Sequence, residues 1–533
     1  MNRRNLLRTT ACVAGGLMAG LRPAFAADAD IEVSLQVAGP QISPHIYGHF
    51  IEHLGGVIYD GIWVGGNSKI PNVAGIRRQF VDDMKRIGAP NFRWPGGCFA
   101  DGYHWRDGIG RGARPRTYNY WQGQMPAGLD ATETNAFGIH EFMRLCRLTG
   151  AEPYLAANVG SGSPREFHDW VSYCNAPANT TSLAAERAAN GDREPFKVKW
   201  WGVGNESWGC GGNMDPREYA TLYRRFATQI PAYPPRPFLV AVGPRGHSRD
   251  MDLGWTTGFF EGMQGHRVPV DGLSMHFYTD FRNSKEKVAT FDSRGWYDVI
   301  REGLRTETVI VRHWDAMAKF DPAHRTRLIV DEWGVWYPPG EETIPAQILS
   351  QPLTLRDAIH TAVTFDVFNR HADKVAMANV AQTINCIHSL FLAQGDRYLR
   401  TPVYHVFEMY KNHMGARSVP LSVRCDDLSV PAGDGTVKMP GVSGSASLKD
   451  GRLAITLTNP SLDAALTARI RLVSGTATEA RGVVLTHADQ TARNTFDRPA
   501  EVSPAPLTVT SRGGTVEVAI PKHAVVSIEL RVS

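Results

Sequence analysis

From residue 46 to about 405 the chain alternates between short apolar runs and longer amphipathic ones, and this alternation constrains the fold more than any other feature. The apolar runs that read as strands are 46–52, 91–95, 153–158, 199–206, 238–242, 272–276, 328–332 and 375–382. Helical periodicity fills most of the gaps, as at 73–87, 135–149, 216–229, 299–319 and 355–370. Strands that alternate with helices imply a parallel sheet, and eight such repeats imply a closed (β/α)8 TIM barrel. An open, doubly wound sheet would need a glycine-rich phosphate turn after its first strand. That strand instead runs Phe50-Ile51-Glu52-His53-Leu54-Gly55-Gly56, and the stretch Gly108-Ile109-Gly110-Arg111-Gly112 follows no strand.

Beyond about residue 415 the helical period stops. Short alternating runs at 452–458, 465–473, 507–510, 516–520 and 524–532 lie between Gly, Pro, Asn and Asp, the pattern of an antiparallel β-sandwich. Near the start, Ile31, Val33, Leu35 and Val37 alternate with polar residues. This strand precedes the barrel repeats, so it is expected to join the sandwich. The reading divides the chain into a leader at 1–26, the joining strand at 27–44, the barrel at 45–410 and the sandwich at 411–533.

The leader has Arg3-Arg4 before Leu6-Leu7, an apolar run, and Ala24-Phe25-Ala26. It reads as a twin-arginine export signal with an A-x-A cleavage site, so a periplasmic or secreted protein is expected. No run is long enough for a membrane span. The formal charge is +4; Arg3, Arg4, Arg8 and Arg22 all fall in the leader, which leaves 4 − 4 = 0 for the remainder. A neutral chain argues against nucleic acid, whose binding needs a basic face. Six cysteines remain: Cys98, Cys146, Cys174, Cys210, Cys386 and Cys425. Their scatter gives no zinc pattern, though one or two bridges are compatible with export.

In a parallel barrel the strand C-terminal ends face the active site. Collected there are Glu52, Cys98, Asn158, Asn205, Glu206, His276, Tyr278, Glu332, Asn379 and Gln382. The set holds acids, amides, a phenol and a thiol, with no lysine or arginine, and suits sugar hydroxyls. Trp94, Trp201, Trp208, Trp333 and Trp336 lie close by, and aromatic faces pack on sugar C–H faces. Trp336, beyond its strand, is read as a site residue; for Trp201, core and site are equally open. Two strands, Trp200-Trp201-Gly202-Val203-Gly204-Asn205-Glu206 and Arg327-Leu328-Ile329-Val330-Asp331-Glu332-Trp333, end in acid. A carboxyl pair is the minimal equipment for breaking a glycosidic bond. No H-E-x-x-H or G-x-S-x-G stands at a strand end, so neither a metal nor another cofactor is expected. His276 alone is more often a satisfied structural histidine than a ligand.

The segments Gly48-His49-Phe50-Ile51-Glu52-His53-Leu54-Gly55, Arg93-Trp94-Pro95-Gly96-Gly97-Cys98-Phe99, Gly202-Val203-Gly204-Asn205-Glu206, His276-Phe277-Tyr278, Asp331-Glu332-Trp333 and Asn379-Val380-Ala381-Gln382 together resemble the α-L-arabinofuranosidases of glycoside hydrolase family 51. The resemblance runs from about residue 45 to 415. It implies a retaining exo-enzyme acting on arabinan or arabinoxylan, with Glu206 as acid/base and Glu332 as nucleophile. It also implies Asn205 on the sugar 2-hydroxyl, Glu52, Cys98, Tyr278 and Gln382 around the furanose, and a homo-oligomer, a hexamer in many members. An acid/base that works near neutral pH is expected to have a raised pKa, helped by the ionised nucleophile. The alternatives are a retaining barrel glycosidase of other specificity, endo-glucanase or β-xylosidase, and a non-catalytic carbohydrate-binding protein.

Overall fold

The computed structural model describes residues 28–124, 131–248, 250–285 and 287–533. The expected export signal lies outside the described residues. Eight parallel strands close into one barrel in chain order. They are β1 (Gly48–Phe50), β2 (Asn91–Trp94), β3 (Glu152–Ala157), β4 (Trp200–Val203), β5 (Phe238–Ala241), β6 (Gly272–Asp280), β7 (Arg327–Trp336) and β8 (Val375–Val380). Each overlaps one of the eight apolar runs, but β6 and β7 continue past theirs, so His276 and Glu332 lie within strands and Trp336, expected beyond its strand, is the last residue of β7. No helix among the described residues is long and apolar enough to cross a membrane.

The strands are apolar on both sides because each side is covered. Tyr154, Trp200, Val240, Ile329 and Met377, from five barrel strands, form a small cluster of their own. Trp201 faces the other way, against Phe167 and Trp170 of the helix Pro164–Asn175. That settles Trp201 as core. Trp94 and Trp333 are also fully buried in the main core.

Two sheets, antiparallel but for one strand pair, form the C-terminal sandwich. The N-terminal strand Ala29–Ser34 enters the five-stranded one, antiparallel to Leu421–Cys425 and parallel to Leu466–Val473. Ala29, Ile31 and Val33 point into the sandwich core while Asp30 and Glu32 face outward. The run read as one strand at 507–510 is split. Ala505–Leu507 pairs in the six-stranded sheet and Val509–Arg512 in the five-stranded sheet.

The six-stranded sheet lies against the barrel helices. Asp366, on the helix Leu355–Arg370, accepts hydrogen bonds from Ser443, Ser445 and Tyr410 at 2.7–3.0 Å. Asn369 bridges the Tyr47 hydroxyl to Ser445. These buried polar contacts fix how the sandwich seats on the barrel.

Candidate active site

The C-terminal ends of the strands meet at one mouth, and Glu206 and Glu332 meet there. A carboxylate oxygen of each, with one nitrogen of His276, lie within 4.8 Å of one another. After β4 the chain turns sharply through Gly204 at φ +93° and Glu206 at φ +40°. Any side chain at Gly204 would press on Val159 and Ser207. Glu206 is thus held in the left-handed region that non-glycine residues rarely adopt, a form of local strain common at functional sites. Asp101 anchors the turn. Its carboxyl accepts the backbone N–H groups of Val159, Gly160 and Asn205 at 2.8–3.1 Å.

On β7, Asp331 and Glu332 both aim inward, although neighbours on a regular strand face opposite sides. The pairing register slips between Val330 and Trp333 toward β8, and between Ser274 and His276 toward β6. Such irregularities re-aim side chains. Glu332 then accepts from Arg93 Nη1 at 2.6 Å and from the Tyr278 hydroxyl at 2.7 Å. His276 Nδ1 sits 2.8 Å from Glu206 and 3.4 Å from Glu332.

The far wall is built around Glu52, only 2% exposed. It accepts from the Phe99 N–H (3.0 Å), Trp121 Nε1 (2.7 Å) and Gln382 Nε2 (2.9 Å). Gly97 permits this wrap, since a Cβ there would lie 2.9 Å from both Glu52 oxygens. Trp336 forms the rim, 5.1 Å from the Tyr278 ring and 6.5 Å from Trp121. Asn158 spends its amide on the Tyr103 carbonyl and the 158–162 loop and so holds structure; Asn379 donates to the His49 carbonyl and leaves its own oxygen buried without a partner.

A close carboxyl pair inside a ring of hydrogen-bonding groups, with an indole at its edge, is equipped to bind a sugar and cleave its glycosidic bond. Known proteins agree. The α-L-arabinofuranosidase 1 domain matches residues 83–295, and the α-L-arabinofuranosidase C-terminal domain matches residues 331–524. An intracellular exo-α-L-arabinofuranosidase of Bacteroides ovatus is 40% identical over 500 residues, covering 92% of this chain and 94% of the relative. The family 51 arabinofuranosidase structure from Xanthomonas axonopodis pv. citri superposes with a TM-score of 0.87 at 38% identity, covering 95% of this chain and all of that one. The Thermotoga maritima α-L-arabinofuranosidase in complex with arabinose gives a TM-score of 0.81 at 29% identity, covering 94% and 99%.

The chain belongs to the α-L-arabinofuranosidases of glycoside hydrolase family 51.

As a family 51 protein it is a glycoside hydrolase with a carbohydrate substrate. The expectation of export is corrected by the same comparison, because the Bacteroides ovatus relative is named intracellular; periplasmic or secreted placement is withdrawn.

Three further expectations change in this arabinofuranosidase. Cys98 is no free thiol wall. It is bridged to Cys210, with the Cα atoms 5.6 Å apart, and the two sulfurs lie 3.8 and 3.5 Å from Glu206 Oε2. Nor is the mouth free of arginine. Arg93 reaches up from β2 to pair with Glu332 and to donate to Asn205 Oδ1 at 2.6 Å. An arginine inside the apolar run Asn91-Phe92-Arg93-Trp94 was the available signal, since buried arginines are almost always paired. Trp121, in a turn, and Asp101, in the short 3-10 helix Cys98–Gly102, left no comparable mark.

The third correction is electrostatic. Glu206 and Glu332 titrate as a coupled pair. Burial would lift Glu206, but the hydrogen bond and charge of His276 outweigh it and hold that carboxyl below the ordinary range. Burial lifts Glu332 beyond what His276 and Arg93 offset, with Glu206 adding to the rise. The resting order is therefore the reverse of the expected one. Burial works against a charged His276, yet Glu332, Asp331 and Glu206 overcome it and raise the imidazole to about 10. Burial and the charge of Glu332 raise Glu52 to about 7 against the pull of Trp121, Phe99 and Arg93.

Proposed function

We propose that this family 51 enzyme is an exo-acting, retaining α-L-arabinofuranosidase that removes terminal arabinofuranosyl groups from arabinan- or arabinoxylan-type saccharides. The observation that carries the reading is the approach of Glu206 and Glu332 to within 4.8 Å at the barrel mouth. Retaining pairs stand roughly 5–5.5 Å apart and inverting pairs at least about 6.5 Å. Exo action is supported by the exo-acting name of the Bacteroides ovatus relative and agrees with the wall that Trp121 and Gln382 form by hydrogen-bonding Glu52.

Glu332 attacks the anomeric carbon, kept in line by Arg93 and Tyr278. Glu206 protonates the leaving oxygen, then deprotonates the water that opens the glycosyl-enzyme. Asn205, oriented by Arg93 Nη2, takes the 2-hydroxyl. Glu52, Tyr278 and Gln382 hold the furanose; the Cys98–Cys210 bridge walls it beside Glu206; His276 donates to Glu206; Trp336 receives the sugar's apolar face. Attack needs the proton on Glu206 and the charge on Glu332. Sugar entry favours that inversion, because Glu206 is the more exposed of the two, 17% against 7%. Covering it raises its pKa, while Glu332 keeps its two donors.

The test pairs two variants. Glu332→Ala is expected to lose several orders of magnitude in turnover. Glu206→Ala is expected to spare aryl arabinofuranosides with good leaving groups far more than natural linkages, since those leave unprotonated. Normal turnover by the first, or equal loss on both substrates by the second, removes the assignment. Proton NMR of the first-formed product reads retention directly. Product analysis on arabinan and arabinoxylan separates the substrates, and light scattering tests the hexamer that the family resemblance implies.

A further inference from the structure

Asp331 is buried to 1% exposure and faces the barrel interior one residue before Glu332. The Tyr154 hydroxyl donates to Oδ2 at 2.8 Å and the Ser274 hydroxyl to Oδ1 at 2.6 Å. His276 Nε2 lies 3.4 Å from Oδ1, and Arg93 Nε lies 3.6 Å from Oδ2. Both carboxylate oxygens are engaged by these protein groups. A buried carboxylate is costly unless it compensates other charges, and here two cations flank it.

The histidine geometry makes the point independently. Nδ1 faces Glu206 and Glu332, whereas Nε2 faces Asp331. A neutral imidazole carries one N–H and one lone pair, and that lone pair would point at a carboxylate whichever tautomer formed. Only the imidazolium offers a proton to both sides. We propose that Asp331 is a positioning residue for the reaction: it holds His276 as a fixed cation with a proton on each nitrogen, and it steadies Arg93, so that both donate charge to the carboxyl pair and neither carries protons during turnover. The inference rests on the reading of Glu206 and Glu332 as the reacting pair. The charged groups facing His276 are Glu206, Asp331, Glu332 and Arg93; Tyr278, Tyr154, Glu52 and the loop residue His247 lie behind them.

The raised affinity of His276 for its proton sets the sign. The imidazolium is present below its folded pKa and lost as pH rises through it. With Asp331 in place, that loss falls above the working range. In Asp331→Asn it moves down toward that range. The experiment is a pH profile of kcat/KM for an aryl α-L-arabinofuranoside, comparing the full chain with Asp331→Asn. The alkaline limb is expected to move to lower pH by about one unit or more, the scale of one lost carboxylate neighbour. At pH 10 a displacement of about one unit should lower kcat about 5-fold relative to the parent, with KM within about 2-fold, because both Asp331 oxygens are engaged by protein groups. A uniform loss at every pH with the parent's alkaline limb would show a merely structural role and overturn the proposal. Neutron diffraction of the unmodified chain at pH 7 needs no variant to fold. Deuterium on both His276 nitrogens supports the proposal, and a bare nitrogen overturns it. Failure of the underlying reading looks different, because Glu332→Ala would then stay active whatever Asp331→Asn does.

Discussion

Glu52→Gln should make this protein more stable and less active at once, in proportions that the structure sets. The carboxyl of Glu52 is held up at about 7 against an ordinary 4.5, first by burial and then by Glu332. The folded state therefore keeps a proton that the unfolded chain has released. Stability falls as pH rises through that interval and levels off above it. At 1.36 kcal/mol for each pH unit the cost at pH 8 is about 3 kcal/mol. Glutamine removes the charge and keeps the shape. Its oxygen can still accept from Phe99 and Trp121. Its amide would face the amide of Gln382, but Gln382 can turn, because its own oxygen is buried without a partner. Unfolding entropy of about 2.1 cal/mol/K per residue over 533 residues converts the gain to about 3 °C in Tm. The assay is thermal melting of parent and variant from pH 5 to 8.5. The variant should gain about 3 °C at the alkaline end, and the gap should close toward pH 5. At pH 8, where Glu52 is ionised, losing a charged acceptor for the sugar, a contribution of about 1.5–3 kcal/mol, should lower kcat/KM about 10- to 150-fold. A stability difference that is the same at both ends of the pH range would refute the reasoning. Unchanged kcat/KM would refute the placement of Glu52 on the sugar.

The Cys98–Cys210 bridge closes a loop across 112 residues of sequence, so chain entropy predicts a loss of about 4–5 kcal/mol on opening it; reduction, or Cys210→Ser, should lower Tm by several degrees, and an unchanged melt would contradict this. Ile31→Ala in the sandwich core should cost about 2–5 kcal/mol and lower Tm, leaving kcat/KM per folded molecule at the parent value. A changed kcat/KM with an unchanged Tm would show that the N-terminal strand serves the mouth of the barrel after all. Trp336→Ala strips the rim and should raise KM more than it lowers kcat; steady-state kinetics on an oligosaccharide distinguish that from a change confined to kcat.

Much of the architecture was legible residue by residue. The eight barrel strands are buried on both sides, and that makes them short apolar runs that stand out from the helices between them. Leu253–Met263 was not legible as a helix. It carries Gly254, Gly258 and Gly262 and has weak intrinsic propensity. It forms because the glycines let it pack tightly on the helix Pro216–Ala227, where added Cβ atoms would meet Pro216 at 2.6 Å and Ala220 at 2.7 Å. At the site, Glu52, Asn205, Glu206, His276, Tyr278, Glu332 and Gln382 were legible because strand ends converge in any parallel barrel. Trp121 was not, since a loop's reach has no periodicity, and neither was the pairing of Cys98 with Cys210, which depends on closure of the barrel between them.

The order of residues along this chain determined the barrel, the sandwich and the carboxyl pair, because strand and helix periods and strand-end polarity are local properties. The tertiary structure alone decided the charge state of the mouth. Whether Glu206 or Glu332 holds the proton, and whether His276 is a cation, depends on distances of 2.6–3.6 Å among Arg93, His276, Asp331 and the two glutamates. Those residues lie on four different strands or strand ends. In a buried site, where water screens little, angstrom-scale differences in such distances outweigh the intrinsic preferences of the side chains.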